Sequence, residues 1–272
     1  MKALDKMLGC KEERNQYEAI NQLKLASLKG NCCSSYILGL VNANSEGLDH
    51  DFDEAVKYFE KTNEQGNSYG LNRIGFSYLK GYGVKQDYSK AREYFKRASK
   101  LGNSDAFVNL GILYYNGYGI KQDYLKAHEY FKRASKLGNS DALVNLGILY
   151  YNGYGIKQDY SKAHEYFKRA SKLGNSDAFV NLGILYYNGY GIKQDYSKAH
   201  EYFQRASKLE NSDALVNLGI LYEKLQGCYK QYSKAAECYK KAALHGNSLA
   251  LARLGVLYEK GQEVEKDYSK SS

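Results

Sequence analysis

Apolar residues recur at helical spacing along most of the chain, and the pattern itself repeats every 36 residues. In residues 102–137, the apolar positions of the first half fall at i, i+1, i+4, i+7 and i+8, which is one face of a helix. In the second half, apolar residues at intervals of three and four alternate with Lys, Arg and Glu. Each copy therefore predicts two helices, about Asp105–Tyr115 and about Tyr124–Leu137 in this one.

The residues at the predicted helix ends support this division. Asn103 or Ser104 can cap the first helix, and Asp123 can cap the second. Gly117 is placed to end the first helix in the left-handed conformation. Within the helices, Gly111 and Ala134 are small enough to let the two helices of a copy approach closely.

The copies follow one frame through the chain. Residues 138–173 differ from residues 102–137 at two positions, and residues 174–209 are again nearly identical. We expect a single array over residues 1–272, because no linker separates the copies. It comprises a half copy at 14–29, full copies at 30–65, 66–101, 102–137, 138–173, 174–209 and 210–245, and a partial copy at 246–272.

A lone pair of amphipathic helices cannot bury its apolar face, whereas stacked pairs can. The period therefore predicts an all-α fold, a right-handed α-solenoid (an α/α superhelix) of 36-residue helix-turn-helix units. The partial copy at the end would leave Leu254 and Leu257 as an uncovered apolar face, which a further domain or a second chain would cover.

Thirteen positions that recur in register carry a family resemblance. The spacing is A-x-x-x-L-G-x-x-Y-x-x-G-x-G-[IV]-x-x-D-x-x-K-A-x-x-Y-[FY]-x-x-A, and the chain resembles the Sel1-like repeat class of the tetratricopeptide superfamily. The resemblance implies a scaffold or adaptor that holds other proteins together. The residues are Ala106, Leu110, Gly111, Tyr114, Gly117, Gly119, Ile120, Asp123, Lys126, Ala127, Tyr130, Phe131 and Ala134.

Composition narrows the class of protein further. The chain has 29 Tyr and no Pro, which favours helix nearly throughout. No apolar run is long enough to span a membrane. The five Cys have no recurrent spacing, so the sequence predicts neither disulfides nor a zinc site, and it favours a cytoplasmic location.

Near-identical copies argue against an enzyme, because a catalytic site needs different groups that converge on one point. His128, His164 and His200 recur at one position per copy, where we expect a solvated surface. Like helices in a stack lie roughly 10 Å apart, too far for shared metal ligation. We therefore expect no catalytic residue, no cofactor and no bound metal.

A polar stripe on the first helices is the predicted binding site for a partner protein or extended peptide. An amide carries both a donor and an acceptor, so a row of Asn can pair with a peptide backbone whatever its side chains. A row of Ile and exposed Tyr from the turns would add apolar contact on the concave face. The predicted residues are Asn109, Asn145, Asn181, Asn217, Ile112, Ile148, Ile184, Ile220, Tyr118, Tyr154 and Tyr190.

Two alternatives stay open. The Asn row could instead bond neighbouring copies and hold the stack together. The net charge of +9 also permits a basic outer surface that binds nucleic acid or acidic partners non-specifically. A sequence-reading RNA protein is not expected, since identical copies would read identical bases.

Overall fold

The computed structural model describes residues 17–43, 51–224 and 229–259, and every regular element within those ranges is an α-helix. The all-α class and the helical-repeat (solenoid) architecture are thereby confirmed. The helices are α1 (17–28), α2 (Cys32–Ala43), α3 (Phe52–Glu64), α4 (Ser68–Lys80), α5 (Tyr88–Lys100), α6 (Ser104–Asn116), α7 (Tyr124–Lys136), α8 (Ser140–Asn152), α9 (Tyr160–Lys172), α10 (Ser176–Asn188), α11 (Tyr196–Ser207), α12 (Ser212–Lys224), α13 (Tyr229–Leu244) and α14 (Ser248–Glu259).

The helices belong to two compact units. Unit 1 extends to Asn139 and contains α1–α7, whereas unit 2 begins at Ser140 and contains α8–α14. From α2 onward the even-numbered helices are the first helices of the copies and the odd-numbered ones are the second. Within each unit, each first helix from α2 to α12 packs most closely on the second helix of its own copy.

Capping side chains set the helix boundaries as predicted. The Asn103 side chain accepts a hydrogen bond from the Ala106 N–H, and the Asp123 side chain accepts one from the Lys126 N–H. Gly117 ends α6 with φ of 75°, a left-handed conformation that glycine adopts at little cost. The observed helices start or stop within one residue of the predicted limits.

A glycine in each first helix lies against an aromatic ring of the second helix. A Cβ atom added to Gly111 would lie 2.4 Å from the Phe131 ring, and one added to Gly183 would lie 2.4 Å from the Phe203 ring. Since real Cβ atoms do not come that close to a ring, the ring occupies the space where a side chain would be. The predicted role of Gly111 is confirmed, and Ala134 is fully buried.

The capping asparagines also join neighbouring copies within a unit. The Nδ2 of Asn139 donates to Asp105 Oδ1 over 2.8 Å in unit 1, and that of Asn211 donates to Asp177 Oδ1 over 2.7 Å in unit 2. Asn103 lacks this bond because Tyr69 occupies the position of the aspartate. Its buried Nδ2 has no hydrogen-bond partner within the described ranges.

The last described helix differs from the prediction. Leu257 is only 1% exposed and Leu254 is partly buried, because both pack into the core that α12 and α13 form with α14. The prediction that these two leucines form the uncovered face was wrong. The exposed apolar residues of α14 lie elsewhere on the helix and are Leu249, Leu251, Val256 and Tyr258.

Candidate functional site

In unit 2, the first helices line a surface groove of about 420 Å³. On α10 the lining residues fall at i, i+3, i+4 and i+7, and on α12 they repeat at the equivalent positions, so each helix contributes one stripe. The lining residues are Val144, Ile148, Asp177, Val180, Asn181, Ile184, Asp213, Val216, Asn217, Ile220 and Leu249.

The groove lining includes part of the predicted stripe, together with residues that were not predicted. Asn181 and Ile184 lie in it, as do their equivalents on α12, Asn217 and Ile220. The valines, such as Val180, are buried and contribute to the lining, although they were not among the predicted residues. Their signal was present in the sequence, because each stands one position before the asparagine and three after the aspartate.

The asparagines of unit 2 bond to their own helices. The Nδ2 atoms of Asn145, Asn181 and Asn217 each donate over 2.8 Å to the backbone carbonyl four residues earlier. Within the described ranges, no hydrogen bond joins these side chains to a neighbouring copy. One N–H and the amide oxygen of each therefore keep their capacity for a ligand.

Asn109 behaves differently in unit 1. Its Nδ2 donates over 2.9 Å to the Oδ1 of Asn72, on the first helix of the preceding copy. Asn109 therefore holds two copies together, which is the alternative that the sequence left open. Ile112 is half-buried on the same helix, α6.

Two of the predicted turn tyrosines stack on a tyrosine of the preceding copy. Tyr118 stacks on Tyr88 with ring centroids 5.3 Å apart, and Tyr190 stacks on Tyr160 at 5.0 Å. Tyr118, Tyr154 and Tyr190 are all partly exposed, at 41%, 38% and 38%. Tyr154 and Tyr190 are not among the residues that line the groove of unit 2.

The charge of the groove is opposite to that of the chain as a whole. Its lining includes two carboxylates, Asp177 and Asp213, and no Lys, Arg or His. Each carboxylate accepts an amide hydrogen bond, from Asn211 over 2.7 Å and from Asn247 over 2.8 Å. The basic residues lie on the exposed faces of the second helices, as predicted, including Lys162, Lys168 and Arg169.

The histidines do not form a solvated surface, and that prediction was wrong. His164 packs edge-on against Tyr186 at 6.0 Å, and His200 Nε2 lies 2.9 Å from the Tyr222 hydroxyl oxygen. All three recurrent histidines are half-buried, and burial lowers the pKa of each one, with a smaller effect of a nearby lysine. For His164 and His200, a tyrosine of the following first helix covers the ring, which spacing within one helix does not reveal.

No group of His, Cys, Asp and Glu side chains within the described ranges is arranged to hold a metal ion. None of the described helices has the length and apolar character that a membrane-spanning segment requires.

The fold and the groove define a helical-repeat protein, and comparison with known families identifies the repeat. The Sel1 repeat model matches residues 34–67, 68–103, 104–139, 140–175, 176–211, 212–247 and 248–271. The chain therefore belongs to the Sel1 repeat family, as the motif predicted. Sel1 repeat proteins generally mediate protein–protein interaction.

Solved structures share this fold. A protective antigen of uropathogenic Escherichia coli, c5321, is 30% identical over 89% of this chain with a TM-score of 0.64, and the chain spans about half (52%) of that protein. A Sel1 repeat protein of Oxalobacter formigenes is 26% identical, with coverage of 86% and 99% and a TM-score of 0.73. The immunity protein Pa5087 of Pseudomonas aeruginosa has a TM-score of 0.57 at 22% identity, with coverage of 78% and 82%. A comparison with curated proteins found no match.

Proposed function

We propose that this chain is a non-catalytic adaptor that binds an extended segment of a partner protein in the groove of unit 2. The observation that supports the proposal is the composition of the groove. Buried valines and half-buried isoleucines lie beside amides that keep part of their hydrogen-bonding capacity.

The chemistry of an extended peptide fits these groups. Its backbone presents alternating N–H and C=O groups, which an Asn side chain can accept from and donate to. Its apolar side chains can contact Val180 and Ile184, which lie within one helical turn of Asn181. Backbone pairing gives affinity, and the apolar contacts exclude water from it.

The competing proposal is that the exposed basic residues of the second helices bind nucleic acid or acidic partners. The net charge of +9 favours it. Some of these side chains, however, already make cation–π contacts within the chain. Lys162 Nζ lies 5.2 Å from the centroid of the Tyr150 ring, and Lys198 Nζ lies 5.2 Å from that of Tyr186. Cation–π contacts of this kind stabilise the helix pairs without a ligand.

A pull-down from source-cell lysate, with and without nuclease and at low and high salt, separates the two proposals. The groove variant is N181A/N217A. The matched control is N152A/N188A, because Asn152 and Asn188 make the same intrahelical bond at the ends of α8 and α10, outside the groove lining.

We expect the native chain and the control variant to capture a discrete protein, and the groove variant to capture none. We expect that binding to persist after nuclease treatment and at high salt. The captured protein is then purified and its Kd measured against all three chains. The native chain and both variants could instead recover nucleic acid equally at low salt and lose it at high salt. That result would overturn the groove proposal in favour of the basic surface.

Two further expectations stay predictions. The exposed apolar residues of α14 favour a further domain or a second chain that covers that helix. The cysteine pattern favours a cytoplasmic location.

A further inference from the structure

We infer that the groove of unit 2 selects a basic segment, one whose Lys or Arg side chains reach Asp177 and Asp213. This inference rests on the proposed function and adds the chemical class of the partner segment to it. It is carried by the charge of the groove lining, the way its carboxylates are held and the spacing of the copies.

The two carboxylates stand out against the rest of the chain. The net charge is +9, yet the groove lining contains Asp177 and Asp213 with no cationic side chain among its residues. The acidic character ends at α14, where Leu249 takes the position of the aspartate. A basic ligand is therefore attracted to α10 and α12, whereas an acidic ligand meets like charge there.

The carboxylates are oriented before a ligand arrives. The Asn211 and Asn247 amides, each from the cap of the following first helix, hold Asp177 Oδ1 and Asp213 Oδ1 over 2.7 and 2.8 Å. A neutral amide donor leaves the negative charge in place, and a carboxylate has about four acceptor sites. Each aspartate can therefore accept a charge-assisted hydrogen bond without giving up the bond between copies.

The spacing of the copies suits an extended chain. Packed helices lie about 8–10 Å apart, and an extended chain rises about 3.3 Å per residue. The partner segment therefore advances roughly three residues per copy. Long, flexible Lys and Arg side chains can reach successive aspartates at that interval, while smaller apolar side chains contact Val180, Ile184 and Val216.

The test uses three labelled nine-residue peptides in which Lys, Gln or Glu stands at every third position and Val fills the others. Binding to the full chain is measured by fluorescence anisotropy at low and physiological salt. The test variant is D177N/D213N, since Asn at these positions can still accept the Asn211 and Asn247 amides. The matched control is E165Q/E201Q, which removes the same charge from exposed positions on second helices. Far-ultraviolet circular dichroism checks that each variant is folded.

We expect the Lys peptide to bind the native chain and the control variant equally, and to bind D177N/D213N at least about tenfold more weakly. We expect the Glu peptide to bind none of them. If the Lys peptide binds D177N/D213N as tightly as it binds the native chain, the inference is overturned, because the peptide then lies elsewhere. Absence of binding by the Lys peptide would overturn it as well.

The N181A/N217A variant separates failure of this inference from failure of the proposed function. If the Gln peptide binds as tightly as the Lys peptide, and both lose affinity in N181A/N217A, the groove binds peptides without charge selection. The proposed function then stands and the inference falls. If no peptide responds to either set of changes, both fall.

Discussion

Asn109 and Asn181 stand at the same position of the repeat, but they make different bonds. Asn109 donates to Asn72 on the preceding first helix, whereas Asn181 donates to the carbonyl of Asp177 on its own helix. The difference follows from the neighbour. Position 72 is an asparagine with an acceptor to offer, and Val144, its equivalent in the copy that precedes Asn181, has none. The same asparagine position therefore joins two copies at Asn109, whereas at Asn181 part of the amide's hydrogen-bonding capacity is left over for a ligand.

This difference predicts that the same substitution changes stability differently at the two positions. N109A leaves Asn72, which is 9% exposed, without its partner, and we expect the free energy of unfolding to fall by about 1 kcal/mol. N181A removes only an intrahelical bond, and Ala is the better helix former, so we expect no loss or a small gain. Urea denaturation followed by circular dichroism measures both. An equal loss in N181A would assign Asn181 to the structure rather than to the groove.

The half-buried histidines predict a loss of stability in mild acid. Burial lowers the pKa of His164 and His200 in the folded chain, and the charges of Lys168 and Lys234 add to this, whereas the unfolded value is about 6.5. Below pH 6.5 the unfolded state therefore binds more protons, and the free energy of unfolding falls as the pH drops from about 7 towards 5.

Thermal unfolding at pH 7.5 and pH 5.5 tests this prediction. The native chain should lose more Tm between the two values than the variant H164Q/H200Q does. His128 is present in both chains, so its titration cancels. The capping Asp159, whose pKa is lowered mainly by the Lys162 backbone N–H, loses its charge only at lower pH. An equal loss of Tm in both chains would contradict the assignment.

At the scale of the helix, a glycine and an aromatic ring determine how the two helices of a copy fit together. Gly183 faces Phe203, and the same pair recurs as Gly147 with Phe167. The sequence predicts a small residue at this position, and the structure shows that an aromatic ring of the second helix lies against it. The spacing of apolar residues shows which face of each helix is buried. Which residue lies opposite a glycine depends on how the two helices pack against each other.

G183A tests this contact. Ala is favoured over Gly in a helix by about 1 kcal/mol, so a loss of stability on this change measures the contact and not the helix. We expect a net loss of about 1–3 kcal/mol, as for other overpacked cores. Adding F203L removes the ring, so the double variant should lose less than the sum of the two single changes. Additive losses would show that Ala at 183 does not contact the ring.

At the scale of the whole molecule, the near-identity of copies makes one of them removable. Deleting residues 174–209 joins Leu173 to Glu210, which recreates the Leu209–Glu210 junction of the native chain. Within unit 2 each copy packs on its neighbours, so stability is roughly a sum over neighbouring pairs. We expect a folded, cooperatively unfolding chain with two helices fewer and a smaller urea m-value. Circular dichroism and urea titration measure both, and an aggregated product would contradict the prediction.

The sequence alone determined the helices, their caps, the repeat and the family, because these depend on residues close together in the chain. A 36-residue period and residues such as Gly117 and Asp123 act locally, and repetition amplifies their signal. Only the tertiary structure showed that His164 and His200 lie against tyrosines of the following first helix and that Tyr118 and Tyr190 stack on the preceding copy. It alone placed Val180 and Asp177 beside Asn181 in one groove. These features depend on contacts between copies, and a pattern within one helix does not specify which residue of the neighbour it meets.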